Sequence, residues 1–65
     1  MNIENRLENN RKILDKICEY INKYPDRRFI QVLWNLGIID SDEEGNIIDR
    51  FYEEPDKTLL RLGKE

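Results

Sequence analysis

The chain has 65 residues and carries a formal net charge of −3, with no histidine, no alanine, one cysteine, one serine and one threonine. Without imidazole there is no histidine-activated nucleophile, no side-chain base tuned near neutral pH and no histidine metal ligand. With Cys18 alone, one chain can build neither a disulfide framework nor a cysteine-rich zinc site.

These absences and the short length set the expectations. One domain is the natural count. The apolar set makes up 38% of the chain, enough for one small core. A domain of this size buries only about 60% of its unfolded surface. Below about 70 residues such domains lean on a disulfide, a metal or a partner subunit. The first two have no evident ligands, so self-association is expected. No apolar run approaches the roughly 20 residues of a membrane span, and the polar N-terminus does not read as a signal peptide. The expectation is a cytoplasmic protein without a membrane segment. Charge is polarised: residues 1–37 carry net +2 and residues 38–65 net −5. The acidic half repels phosphate, which disfavours nucleic acid as a partner.

In chain order, residues 2–23 read as a long helix with Asn2 as its cap, Glu4 in the first turn and Lys23 near the end. Ile3, Leu7, Asn10, Leu14, Ile17, Ile21 and Tyr24 alternate steps of four and three, a heptad-like seam. Ile13, Cys18 and Tyr20 widen it, with Cys18 expected as a small buried hydrophobe. Asn10 breaks the seam at an inward position, and Ile3 and Leu7 have little nearby to cover them. Ile3, Leu7, Asn10 and Leu14 are therefore the candidate self-contact of a homodimer. Pro25 ends this helix by pushing Tyr24 out of helical geometry.

A second helix is expected over 26–36, capped by Asp26 and closed by Gly37 in the left-handed position, with Ile38 packing back on Leu33. Phe29, Ile30, Val32, Leu33, Trp34 and Leu36 cover most of its circumference, which predicts the central buried element. Arg28, Gln31 and Asn35 form its polar edge. The expected role of Arg28 is to staple a carboxylate of the later segment DRFYEE, with Gln31 and Asn35 holding backbone groups. The alternative is a recognition edge.

Residues 38–52 suggest a small β-hairpin, with Ser41–Asn46 as its turn. Residues 55–62 suggest a short helix with Pro55 in its first turn, Leu59, Leu60 and Leu62 facing inward and Gly63 ending it. The fold class is thus mainly α with an α+β element. Asp40, Asp42 and Glu44 occupy positions one, three and five of a calcium-loop pattern with Gly45 at six. The twelfth position is Phe51, where a bidentate glutamate is required, so this metal candidate is weak. Glu53 and Glu54 are adjacent and do not converge for acid–base work. No activated nucleophile or glycine-rich phosphate loop is present, and no cofactor or enzymatic activity is expected.

The segments YPDRRFIQVLWNLGII and DRFYEEPDKTLLRL give the chain a resemblance over residues 20–62. It resembles a small uncharacterised family of bacterial and phage proteins sharing a YPDxRFxQxLxNL…DxFYEE…TLxRL pattern. The pattern falls on Pro25, Asp26, Arg28, Phe29, Gln31, Leu33, Asn35, Asp49, Phe51, Tyr52 and Glu53. No activity comes with the family. The resemblance implies a context, that of a phage or prophage accessory protein that acts against a host system.

The expected function is therefore non-enzymatic protein binding. An acidic rim of Asp40, Asp42, Glu43, Glu44 and Glu53 would face a host protein with a basic surface. The alternative is a small DNA-binding regulator using residues 24–37, with Arg27 and Arg28 on phosphate and Gln31 and Asn35 on base edges.

Overall fold

A computed structural model describes residues 2–62 and shows three helices, α1 (Ile3–Lys23), α2 (Phe29–Asn35) and α3 (Pro55–Leu62). The ends of α1 follow the sequence. The Asn2 side chain accepts a hydrogen bond from the Asn5 N–H at 2.8 Å, satisfying one of the orphan donors of the first turn. At the other end Tyr24 leaves helical geometry ahead of Pro25 (φ −129°, ψ 70°).

α2 starts three residues later than expected. Residues 25–27 form a turn, with the Arg27 N–H donating to the Tyr24 carbonyl at 3.2 Å, and Asp26 is not the cap. Arg28 takes the extended cap conformation instead, and its N–H donates to Gln31 Oε1 at 3.0 Å. The glutamine reaching back from the third helical position satisfies the cap residue's own N–H, the reciprocal half of a capping box. The C-terminal end is the expected Schellman closure. Ile38 N–H donates to the Leu33 carbonyl at 2.9 Å, Gly37 N–H donates to the Trp34 carbonyl at 3.0 Å, and Gly37 has φ +82°.

That glycine yields a direct expectation. A β-carbon on Gly37 would meet nothing within 4 Å, so Gly37→Ala is penalised only through the left-handed backbone. A loss of about 1 kcal/mol is expected, read as a lower urea midpoint at unchanged slope.

Residues 38–54 correct the hairpin expectation. No strand forms among the described residues, and the segment holds one antiparallel bridge, Ser41 to Ile47. The reason is local. Asp42 Oδ1 accepts from the N–H groups of Glu44 (2.9 Å) and Asn46 (3.0 Å), drawing the chain into a tight loop. Asp49 Oδ1 then takes the Phe51 N–H at 2.9 Å, and Glu53 N–H donates to the Arg50 carbonyl at 2.9 Å. A second turn thus begins where a strand would have to continue. The fold is accordingly mainly helical.

The core is small. Val32 (1% exposed), Leu36 and Leu62 are the buried hydrophobic cluster, with Ile13, Ile17, Tyr20 and Ile38 packed against it. α2 is therefore not the central buried helix. Phe29, Ile30 and Trp34 lie exposed, since the side chains of α1 and α3 that reach α2 cover only the face bearing Val32. In α3, Leu62 is buried and Leu60 is exposed, so the three leucines do not all face inward. The expected helix stop at Gly63 lies outside the described residues. Cys18 is exposed rather than buried, because the covered stripe of α1 runs along Ile13, Ile17 and Tyr20, to one side of it.

Candidate protein-binding surface

The seam read from the sequence as one stripe is two. At about 100° per residue, Ile13, Ile17 and Tyr20 share one face of α1 and meet the core. Ile3, Leu7, Leu14 and Ile21 share a neighbouring face and are 79%, 50%, 57% and 37% exposed. Asn10, on the border between the two faces, is also exposed. Three of the four residues expected as a self-contact, Ile3, Leu7 and Leu14, thus form an open apolar row. That row extends to Ile21, over about 27 Å of helix.

The acidic segment behaves differently. Arg50 grips Asp40 with two bonds, Nε to Oδ1 at 3.2 Å and Nη2 to Oδ2 at 3.0 Å, and reaches Glu53 Oε2 at 3.3 Å through Nη1. Arg61 grips Glu53 in turn, Nη2 to Oε1 at 2.7 Å and Nε to Oε2 at 3.2 Å, while its Nη1 donates to the Gly37 carbonyl. Thr58 Oγ donates to Glu53 Oε1 at 2.6 Å. Glu53 is thus the hub joining the loop, α3 and the end of α2. The bond from Arg61 is the main cause holding its carboxyl at about 2, well below the usual carboxylate value. The Thr58 hydroxyl and the positive charges of Arg61 and Arg50 add to this, against partial burial. Arg50 is pushed the other way, its guanidinium held more firmly protonated by the bond to Asp40.

Two members of the expected rim, Asp40 and Glu53, are therefore structural. Asp42, Glu43 and Glu44 remain exposed at the loop tip. Arg28 does not pair with the DRFYEE segment. Arg50 and Arg61 take Glu53, and Arg6 takes Glu54, with Nη2 to Oε1 at 2.8 Å and Nε to Oε2 at 3.1 Å. The adjacent glutamates diverge as expected, one to α3 and the other to α1. Arg28 stands exposed at the start of α2. Sequence spacing held one clue to the true pairing: Arg50 lies three residues before Glu53 in the loop, and Arg61 eight after it in the last turn of α3.

The polar edge of α2 is divided as well. Gln31 holds the Arg28 backbone, as expected, whereas Asn35 Nδ2 donates to the Tyr20 hydroxyl at 2.9 Å and ties α2 to α1. Between them Arg28, Phe29, Ile30, Gln31, Trp34 and Asn35 line an open groove. A second groove runs beside Arg6 and Asn10 to Phe51 and Tyr52, which are 81% and 91% exposed and stack edge to face at 5.0 Å.

As for a metal, Asp40 is committed to Arg50 and Asp42 to its own turn. Among the described residues no group of three or more acidic or cysteine side chains is placed to hold an ion. No described helix is long and apolar enough to cross a membrane. Comparison of the chain with protein-family models, with curated proteins and with solved structures gives no match. The functional reading therefore rests on the surfaces themselves.

Proposed function

We propose that this chain is a non-enzymatic, protein-binding accessory protein of the phage or prophage kind its motifs resemble. In this reading it works in the cytoplasm as a homodimer and binds, and thereby inhibits, a host protein with a basic surface. One observation carries it. Three large apolar side chains are buried, while eleven large hydrophobics stand exposed among the described residues. Monomeric proteins expose single apolar residues freely, but rows of them mark contact surfaces. Self-association uses the row on α1. The loop tip with Asp42, Glu43 and Glu44 gives the acidic steering for the basic partner, now reduced from five carboxylates to three.

A host-lysate capture at low salt tests the partner. A specific basic protein is expected to be retained by the wild-type chain, released by 0.5 M salt and missed by the triple variant D42N/E43Q/E44Q. Capture indifferent to both salt and variant would sink the acidic-tip reading.

The DNA-binding alternative has less support. Arg27 lies over the Tyr24 ring at 5.7 Å, Gln31 and Asn35 spend one polar atom each inside the protein, and the exposed face between them is Phe29, Ile30 and Trp34. Tight, salt-sensitive retardation of a random duplex would reverse this preference.

A further inference from the structure

We propose that the open row of α1 pairs with the same row of a second copy in antiparallel orientation, with the two-fold axis passing at Leu14. This rests on the self-association reading and adds its geometry. Leu7, Leu14 and Ile21 are seven apart, so an antiparallel pair centred on Leu14 sets Leu7 against Ile21 of the second copy and Leu14 against itself.

Charge decides the orientation. The edge of the row away from Ile13 and Tyr20 carries Glu4, Arg11 and Asp15, all exposed. The other edge is covered by the chain's own α2 and α3 and holds Arg6, already paired with Glu54. In a parallel pair the open edge of one helix meets the covered edge of the other. That arrangement would bring Arg11 toward Arg6 of the second copy, like against like. An antiparallel pair joins open edge to open edge, sets the two Asp15 side chains on either side of the axis with an Arg11 of the opposite copy within reach of each to offset their repulsion, and opposes the two helix dipoles. Both covered edges then lie on the same side of the pair. There Phe51 and Tyr52 of each copy, beside Arg6 and Asn10, widen the apolar contact beyond a single helix.

Sedimentation equilibrium and cross-linking test this together. Wild type is expected to sediment as a dimer. Leu14→Asp is expected to weaken dimerisation by at least tenfold while keeping its helical circular dichroism, since Leu14 is not part of the monomer core. Arg11→Glu is expected to weaken the dimer and R11E/D15R to restore it. For orientation, L7C/C18S mixed with I21C/C18S is treated with a short thiol-to-thiol cross-linker. The mixture is expected to give covalent dimers and neither protein alone to do so, because like positions lie about 21 Å apart along the axis. Cross-linking of L7C/C18S alone would overturn the antiparallel pair and leave self-association standing. Failure of R11E/D15R to restore the dimer would overturn the charge pairing. A wild type that stays monomeric at high micromolar concentration would overturn both the geometry and the homodimer.

Discussion

Glu53→Ala is expected to lower the stability of this fold by about 3 kcal/mol, measured as a shift in the urea midpoint. The carboxylate accepts from Arg50, Arg61 and Thr58, and its side chain is 16% exposed. Removing it leaves two guanidinium groups without their main counter-charge where the loop, α3 and the end of α2 meet. A chain of this length has a total stability of only about 3–10 kcal/mol, so the variant should be close to unfolding at ambient temperature. Arg61→Ala should behave similarly, because it also releases the Gly37 carbonyl. Arg28→Ala should change little.

The same site fixes a pH dependence. Glu53 ionises at about 2 in the folded chain, against an ordinary value of 4.5. The unfolded state therefore binds more protons between those values, and acid favours unfolding. Glu53's contribution is complete above about pH 5 and is lost as the pH falls through its folded value. Allowing for solvent screening at a partly exposed site, this amounts to about 2 kcal/mol. The melting temperature of wild type should fall more steeply between about pH 5 and pH 2 than that of Glu53→Gln, which holds no titrating group there. Parallel acid limbs for the two proteins would assign the dependence to other carboxylates.

Val32→Asp is expected to abolish the fold outright, and Val32→Ala to remove about 2 kcal/mol. Val32 is the most deeply buried side chain, at 1% exposure, and lies where α2 meets Ile13 and Ile17 of α1 and Leu62 of α3. With so few buried neighbours there is little packing to close a void and nothing to pair a carboxylate. The comparison that gives this meaning is Ile30→Ala, two residues away on the same helix. Ile30 is exposed, and its truncation should leave the unfolding midpoint within about 0.5 kcal/mol of wild type. Thermal unfolding followed by circular dichroism checks all three. A Val32→Ala protein as stable as wild type would mean that the core lies elsewhere.

The contrast between Val32 and Ile30 also shows where sequence reasoning reached its limit. Both are β-branched residues in one apolar run, and the run's near-complete apolar circumference suggested burial on every side. Only the number of elements available to pack against α2 limits this, and a 65-residue chain supplies two. The first helix poses the same problem in another form. Its alternation of threes and fours located the helix and its apolar sector correctly. That sector spans more than one face, and only the packing of Val32, Leu36 and Leu62 against Ile13, Ile17 and Tyr20 picks the part that meets α2 and α3.

What the sequence determined by itself was local. The caps and ends followed from single residues whose backbone preferences are intrinsic: Asn2 at the start of α1, Pro25 beyond its end, the left-handed Gly37 after α2, and Pro55 opening α3. The tertiary structure decided everything that depends on long-range pairing. It assigned the carboxylates, because Arg6, Arg50 and Arg61 reach Glu54, Asp40 and Glu53 across up to 48 positions of chain. Ion pairs carry no spacing rule once two elements are brought together from a distance. It also divided the apolar residues between core and surface, since burial is a property of what else lies nearby, and no residue states that alone.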